Sequence, residues 1–287
     1  MKIKAYQLHA FTQRIEGGNP AGVVLDAGGL NDAQMQELAC AIGFSETAFV
    51  ITSDIADFKV RFFTPSAEVD LCGHATIAAF SLLLQKGMLQ GGEFTQETKA
   101  GNLKIRVKGN TIYMQQTMPQ FFEIIEEKHL LGCLGIDRND LEGKLPIQAV
   151  STGLKDIFVP LKNEETLRNL KPDMDKIEEI SKKYDAVGLH VFVVSDDTDI
   201  TAVCRNFAPL YGIPEESATG TSNGALACYL HKYGILTGIQ EEAAFKQGIY
   251  MNRPSMIKAK LTIENGKLQE IWVGGEALIF GENSYLI

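Results

Sequence analysis

Two glycine-containing turns carry the residues of this chain that are best suited to chemistry. The first reads DLCGHAT at residues 70–76, and the second reads SATGT at residues 217–221. Each turn runs into a segment rich in Ala and Leu, which predicts one helix that begins at Gly73 and another that begins at Gly220. The first N–H groups of a helix lack partners within it and lie at the positive end of its dipole. Each turn therefore predicts a binding site for a carboxylate or a phosphate.

The two turns stand in the same register along the chain. Gly73 and Gly220 are 147 residues apart, and the glycines that end the two predicted helices, Gly87 and Gly234, are also 147 residues apart. A shared spacing of about half the chain length indicates two copies of one unit rather than a solenoid of short repeats.

The two copies differ at a position that could carry chemistry. Phe49 and Phe192 repeat at a spacing of 143 residues, which places Leu189 in the second copy where Glu46 stands in the first. An acidic residue in one copy and an apolar residue in the other predict that the copies have diverged in function.

Proton transfer needs a group that titrates, and Glu46 and His74 are the candidates. Burial behind Phe44 and Phe49 predicts a raised pKa for Glu46, which would suit its carboxyl group to general acid–base catalysis. By residue type alone, Glu46 is also described as a strand-end carboxylate that faces water, and His74 as a helix cap. Both interpretations stay open at this point.

Composition limits the class of protein and its partners. The 287 residues, 45% of them hydrophobic, suit a globular protein of about two domains. A net charge of −9 argues against non-specific binding to nucleic acid, which requires clustered Lys and Arg. The sequence has neither an apolar run long enough for a membrane span nor the apolar start of a signal peptide, so a cytoplasmic location is expected.

Cysteine and histidine usage predicts a protein without a metal. The five cysteines are scattered and show no CxxC spacing, and the five histidines form no HExxH motif. An odd number of unpaired cysteines also suits a reducing compartment. No glycine-rich dinucleotide or nucleotide motif is present, so a Rossmann domain is not expected.

The coarse pattern predicts an α+β fold. Alternating strands, hairpin signals at residues 99–102, 108–110 and 264–267, and two central Ala/Leu helices predict a curled sheet around one buried helix in each half. A capping box at Asn31 and Gln34 predicts an amphipathic helix that ends at Gly43. The predicted domains are residues 1–119, with Glu46 and the Gly73 turn, and residues 120–287, with the Gly220 turn.

Five motifs in this order resemble the PhzF family of phenazine-biosynthesis-like proteins. They are GNPA at residues 18–21, FSETAF at 44–49, DLCGHAT at 70–76, GIPEESATG at 212–220 and NRPS at 252–255. The resemblance covers essentially the whole chain. It implies a diaminopimelate-epimerase-like fold of two similar halves, each a curled, mostly antiparallel sheet around a central helix. It also implies a site between the halves, cofactor-independent isomerisation of a small carboxylate substrate by proton transfer, and a homodimer.

The resemblance also implies a role for each matching residue. The catalytic residues would be Glu46, His74 and Glu216, and the substrate-binding residues would be Asn19, Gly73, Gly220 and Thr221, with Asp70 and Cys72 as weaker candidates. Glu216 stands where the phenazine enzyme of the family has an aspartate, and Thr221 where it has a serine. Residues 221–223 read TSN where the family usually continues Ser-Ala-His, so the resemblance identifies a family but no substrate.

Two other functions compete with this one. Related epimerases and racemases use one thiol at each helix start, and Cys72 matches the first of these, but Thr219 stands at the second. A hydroxyl group cannot easily replace a thiolate, so Cys72 is interpreted as a packed small residue. The remaining alternative is a protein that binds small carboxylates without catalysis.

Overall fold

The chain forms two compact units in a computed structural model that describes residues 2–238 and 240–287. Unit 1 is the chain up to Gln115 together with Gly274–Ile287, and unit 2 is Gln116–Val273. This division differs from the predicted boundary between residues 119 and 120. The end of the chain belongs to unit 1 because its last strand pairs with the first strand from Lys2↔Leu286 to Ala10↔Ala277.

Most elements of unit 1 recur in the same order in unit 2. The strands are β1 (Lys2–Ala10), β2 (Asn19–Val24), β3 (Thr47–Ile51), β4 (Phe58–Phe63), β5 (Glu68–Val69), β6 (Gly92–Thr98), β7 (Gly101–Lys108), β8 (Thr111–Gln115), β9 (Gln120–Ile124), β10 (Gln148–Ser151), β11 (Lys155–Pro160), β12 (Leu189–Val194), β13 (Ala202–Ala208), β14 (Ile213–Glu216), β15 (Gln240–Gln247), β16 (Ser255–Glu264), β17 (Lys267–Gly275) and β18 (Ala277–Leu286). The α-helices are α1 (Asp32–Ile42), α2 (Gly73–Gln85), α3 (Leu131–Leu134), α4 (Glu164–Arg168), α5 (Met174–Tyr184) and α6 (Gly220–Lys232).

The strands of the two units pair in the same pattern. In unit 1, β1 and β2 are antiparallel, β2 and β3 parallel, β3 and β4 antiparallel, and β4 and β6 parallel. In unit 2, the same sequence of directions runs through β10, β11, β12, β13 and β15. Helices make the crossovers between parallel neighbours, with α1 between β2 and β3 and α2 between β4 and β6, as parallel pairing requires. The predicted α+β class with mainly antiparallel sheets is confirmed.

The helices α2 and α6 form the centres of their units. Every residue of α2 from His74 to Leu83 is buried, and so is every residue of α6 from Ser222 to Leu230. A helix that is buried on all sides cannot be held by one apolar stripe, so the sheet must surround it. Full burial of a Phe or Leu side chain contributes about 1.5–3 kcal/mol, which fixes each helix start relative to the sheet of its own unit.

Local signals in the sequence act as expected at several element ends. Asn31 and Gln34 form the capping box of α1, and Gly43 ends that helix in the left-handed conformation at φ 76°. The hairpins β6–β7 and β7–β8 turn at Thr98↔Gly101 and Lys108↔Thr111.

The helices within residues 2–238 and 240–287 are all too short or too polar to cross a membrane.

The register between the copies differs by one residue from the prediction around Glu46. Thr47 pairs with Phe63, and Leu189 pairs with Phe207, so Leu189 is the counterpart of Thr47. Consistently, the N–H of Gly22 donates to the carbonyl of Glu46 at 3.1 Å, and that of Ile157 donates to Gly188 at 3.0 Å. Gly188, not Leu189, therefore stands where Glu46 does. The prediction failed because a spacing of 143 taken from Phe49 and Phe192 is one residue longer than the spacing set by the strand ladder.

Candidate active site

Glu46 is held at the beginning of β3 in unit 1. The next residue, Thr47, is fully buried, and the hydrogen bond from Gly22 fixes the backbone of Glu46 against β2. The Glu46 side chain keeps 21% of its exposure. It is therefore anchored by the sheet and still reachable from outside.

His74 lies beside Glu46 because α2 begins there. The Nε2 atom of His74 is 3.1 Å from Oε2 of Glu46 and 3.4 Å from Oγ of Ser45. The His74 side chain is only 8% exposed. Glu46 and His74, which are 28 residues apart in sequence, thus form a close carboxylate–imidazole pair at the N-terminus of the central helix.

The pair changes the expected titration of Glu46. Burial, the largest single influence, pushes the pKa of Glu46 up, but the contacts with His74, Ser45 and Cys72 together leave it below its ordinary value of 4.5. The predicted raised pKa is therefore wrong, since the prediction counted burial but not the imidazole.

His74 is shifted towards its charged form by the same contacts. Its burial disfavours the imidazolium, but Cys72 and Glu46 outweigh that effect and raise the pKa of His74 well above 6.5. The contact with Glu46 thus favours the charged form of the imidazole and the ionised form of the carboxyl group.

Cys72 is the N-cap residue of α2 and contacts the imidazole ring of His74. Its Sγ atom is 3.4 Å from Nδ1 of His74 and 3.9 Å from Nε2. Burial raises the pKa of the Cys72 thiol, which disfavours a resting thiolate. Cys72 is thus buried, as expected, but it also supports the orientation of His74 and is more than a packing residue.

The same three residues offer the ligand types of a transition-metal site. One donor atom each from Glu46, Cys72 and His74 lies within 4.8 Å of the other two. Nε2 of His74 lies 3.1 Å from the Glu46 carboxylate and 3.9 Å from the Cys72 sulfur, so the imidazole ring contacts both groups. A carboxylate beside an imidazole can also exchange a proton with it.

The other predicted site residues of unit 1 are Gly73, Asn19 and Asp70, and their side chains or backbones differ in solvent exposure. Gly73 is the first residue of α2, and its own N–H and that of His74 precede the first hydrogen bond within the helix, which runs from Thr76 to Cys72 at 3.0 Å. Asn19 is buried at the start of β2. Asp70 is exposed, and its carbonyl oxygen accepts from the N–H of Ala100 at 3.3 Å.

The predicted residues of unit 2 form a separate group at the start of α6. Glu216 is the last residue of β14, and Oε2 of Glu216 accepts a hydrogen bond from the Thr219 hydroxyl at 2.7 Å. Gly220 is the first residue of α6, and the carbonyl of Thr221 accepts from the hydroxyl of buried Thr152 at 3.2 Å. Glu46, Cys72 and His74 belong to unit 1, and Glu216, Gly220 and Thr221 belong to unit 2.

Sequence reasoning missed several polar residues behind the start of α6. Gln247 and Asn223 are fully buried and hydrogen-bonded to each other, and Asp156 and Ser222 form a second buried pair. Gln247 stands at the end of a strand with ordinary strand composition, so no local pattern marks it. Asn223 was visible only as a departure from the family pattern.

The arrangement of two similar α+β units, each with a helix start rich in polar groups, defines an epimerase-like class of fold. A hydroxyproline epimerase from Agrobacterium vitis, solved with bound trans-4-hydroxy-L-proline, has a similar fold with a TM-score of 0.63 at 15% identity. The alignment covers 99% of this chain and 91% of that chain.

The chain belongs to the PhzC-PhzF family, described as phenazine biosynthesis-like protein, whose model matches residues 8–283. It is 37% identical to an uncharacterized isomerase of Clostridium acetobutylicum, over 97% of this chain and 96% of the relative. A PhzF-family phenazine biosynthesis protein of Bacillus anthracis superposes with a TM-score of 0.91 at 34% identity, covering 100% of both chains. The resemblance inferred from the five motifs is confirmed, and so is the prediction of an enzyme of the isomerase class.

Proposed function

We propose that this protein is a cofactor-independent isomerase that moves a proton on a small carboxylate substrate, with Glu46 as the acid–base group. The observation that carries the proposal is the 3.1 Å contact between Glu46 and His74 at the N-terminus of α2. The contact with His74 favours the ionised form of Glu46, which is the form that can accept a proton.

The proposed reaction has two proton transfers. The Glu46 carboxylate takes a proton from a carbon next to a carboxylate or an unsaturated system, and the electron pair of the broken C–H bond enters that system. The proton then returns from Glu46 to another carbon on the same face. The unpaired N–H groups at Gly73 and His74 would bind the negative charge that develops.

The remaining predicted roles form part of the same proposal. Glu216, Gly220 and Thr221 would orient the substrate, with Asn19 as a further contact and Asp70 supporting the first turn. A cytoplasmic location and a homodimer stay predictions.

A second candidate is an amino-acid epimerase or racemase that uses Cys72 as a base. The observation that favours it is the 3.4 Å contact between the Cys72 sulfur and Nδ1 of His74. The commitment of the Thr219 hydroxyl to Glu216 weighs against a matching second base at that position.

Solvent-deuterium incorporation, followed by NMR, tests these candidates. The panel of substrates would hold dihydro-hydroxyanthranilate, diaminopimelate, proline and other amino acids, and the proteins would be the parent, Glu46→Gln and Cys72→Ala. We expect Glu46→Gln to lower the exchange rate by about 10²–10⁴, the usual contribution of general acid–base catalysis.

The other outcomes separate the alternatives. Exchange that survives Glu46→Gln but is lost in Cys72→Ala would replace the proposal with thiol chemistry. Binding of a panel member without exchange in any protein would favour the non-catalytic binding protein.

A further inference from the structure

We propose that Gln247 is a positioning residue for the carboxylate of Glu216 and acts through the hydroxyl group of Thr219. What Glu216 does to a substrate rests on the proposed function. The positioning itself is carried by hydrogen bonds within unit 2.

The orientation of the Gln247 side chain is fixed by two donors. Its Oε1 atom accepts from the backbone N–H of Thr219 at 3.2 Å and from Nδ2 of Asn223 at 2.8 Å. An amide oxygen only accepts and an amide nitrogen only donates, so these contacts determine which end of the Gln247 amide is which. Asn223 is fixed in turn, because the same Nδ2 donates to the carbonyl of Thr219 at 2.9 Å.

The other end of the Gln247 amide then has to donate. Its Nε2 atom donates to the carbonyl of Glu216 at 2.8 Å and to Oγ1 of Thr219 at 3.0 Å. One side chain therefore ties the end of β14 to the start of α6. Its two amide hydrogens hold the backbone of Glu216 and the hydroxyl oxygen of Thr219.

Thr219 passes this orientation to the carboxylate. A hydroxyl group has one hydrogen, and because Oγ1 of Thr219 accepts from Gln247, that hydrogen is directed to Oε2 of Glu216 at 2.7 Å. The chain of donors has a single direction, from Gln247 through Thr219 to Glu216. Hydrogen bonds in such a chain polarise one another, which strengthens the last bond to the charged acceptor.

Burial makes the inner end of this chain rigid. Gln247 and Asn223 are both 0% exposed, whereas Thr219 and Glu216 are partly exposed. Water cannot replace the amide contacts of Gln247, so their loss leaves buried polar groups unpaired. The fully buried glutamine thus sets the position of a carboxylate that itself reaches the surface of unit 2.

A double-mutant cycle between Gln247→Leu and Glu216→Gln tests the proposal. We expect Gln247→Leu to raise KM about tenfold, with a smaller change in kcat, when Glu216 is present, and to leave KM unchanged in the Glu216→Gln background. In urea unfolding, Gln247→Leu should destabilise the protein, and its effect on the unfolding equilibrium constant should be about tenfold greater with Glu216 present than in the Glu216→Gln variant. A merely structural role for Gln247 would give equal effects in both backgrounds, and that result would overturn the proposal.

Gln96→Leu is the matched control. Gln96 is also 0% exposed and donates from Nε2 to Oγ1 of Thr76, on the central helix of unit 1, at 3.3 Å. Its substitution should destabilise the protein without coupling to Glu216→Gln. Equal coupling from Gln96 would also count against the proposal.

A second pair of variants covers the case in which Gln247→Leu does not fold. Thr219→Val removes the hydroxyl group at a partly exposed position and should raise KM as Gln247→Leu does, whereas Thr219→Ser should restore the parent value. If both Thr219 variants behave alike, the proposal fails. The unfolding measurements test the positioning role of Gln247 without any enzymatic activity. An absence of exchange in every protein would count against the proposed function and not against this positioning role.

Discussion

The starts of α2 and α6 are built on the same support but surrounded by different chemistry. In each unit an arginine makes a bidentate contact with a glutamate, Arg61 with Glu68 at 2.7 and 3.0 Å and Arg205 with Glu215 at 2.9 and 2.8 Å. Each guanidinium also lies over the phenylalanine two residues later, at 5.1 and 5.0 Å. These pairs brace the strand that leads into each helix start.

The cores behind the two helix starts differ in polarity. The strand ladders and the helix spacing together match four buried apolar residues of unit 1 with four buried polar residues of unit 2. The matched positions are Ala21 with Asp156, Ala48 with His190, Phe62 with Asn206 and, from the 147-residue spacing, Ala75 with Ser222.

This difference separates two uses of a polar group. In unit 1 the titratable residues Glu46 and His74 lie at the helix start, in front of these buried apolar residues. The Glu46 side chain remains partly exposed to solvent. In unit 2 the titratable residues Asp156 and His190 are fully enclosed, and burial raises the pKa of Asp156 to about 7 and lowers that of His190 to about 3. Both are thereby shifted towards their neutral forms, which suits structure rather than proton transfer.

The largest expected effect comes from adding a side chain where unit 2 lacks the counterpart of Glu46. A Cβ atom at Gly188 would lie 1.9 Å from the carbonyl oxygen of Phe207. The near atoms belong to the backbone of Phe207 and Ala208, which cannot move aside as a flexible side chain could. We expect Gly188→Ala to lower the free energy of unfolding by more than about 4 kcal/mol or to prevent folding. Gly143→Ala is the control, because nothing lies within 4 Å of its Cβ position. Similar urea midpoints for the two variants would contradict the assigned register.

The next effect tests the buried carboxyl group of unit 2. The native state keeps a proton on Asp156 up to about pH 7, whereas an ordinary aspartate loses it near 3.8, so stability should fall as pH rises through this interval. Asp156→Asn removes this dependence. We expect the variant to gain on the parent between those pH values, by at most about 4 kcal/mol, since a tenfold change in protonation corresponds to about 1.4 kcal/mol. Parallel pH–stability curves from urea unfolding would show that Asp156 is ionised in the fold.

A smaller effect tests the carboxylate–imidazole pair of unit 1. The pKa of Glu46 lies below 4.5 because of its contacts, with His74 first among them, while burial acts in the opposite direction. In His74→Asn burial should prevail, so the acidic limb of kcat/KM should move from below 4.5 to above it, and the limb from His74, above 6.5 in the parent, should disappear.

His231→Asn, in the last turn of α6, serves as the control for that pH profile and should leave both limbs in place. An acidic limb unchanged in His74→Asn would mean that His74 does not hold Glu46 ionised.

The smallest effect concerns the shared support. Lysine cannot reproduce a bidentate contact, so Arg61→Lys and Arg205→Lys should each cost about 1 kcal/mol of unfolding free energy. Arg205→Lys should cost more, because Arg205 also donates to the carbonyl of fully buried Leu167 at 3.1 Å, whereas the further partner of Arg61 is exposed Asp32. A greater loss in Arg61→Lys would contradict the stronger support assigned to Arg205.

Much of this architecture could be predicted from the sequence alone. The glycine spacing of 147, the Ala/Leu helices and the hairpin signals predicted two α+β copies with a central helix each, because glycine conformation and hydrophobic periodicity act locally. The five motifs also indicated the family, and they include the two titratable candidates Glu46 and His74.

Features that depend on contacts between distant segments could not be predicted from the sequence and are evident only in the folded structure. The strand ladder, not the spacing of two phenylalanines, makes Gly188 the counterpart of Glu46 in the second copy. The packing of β3 against the start of α2 brought His74 to Glu46, and that contact lowered a pKa that burial alone would have raised. The role of Gln247 could not be read from its neighbours in sequence, because its hydrogen-bond partners lie 24 to 31 residues away.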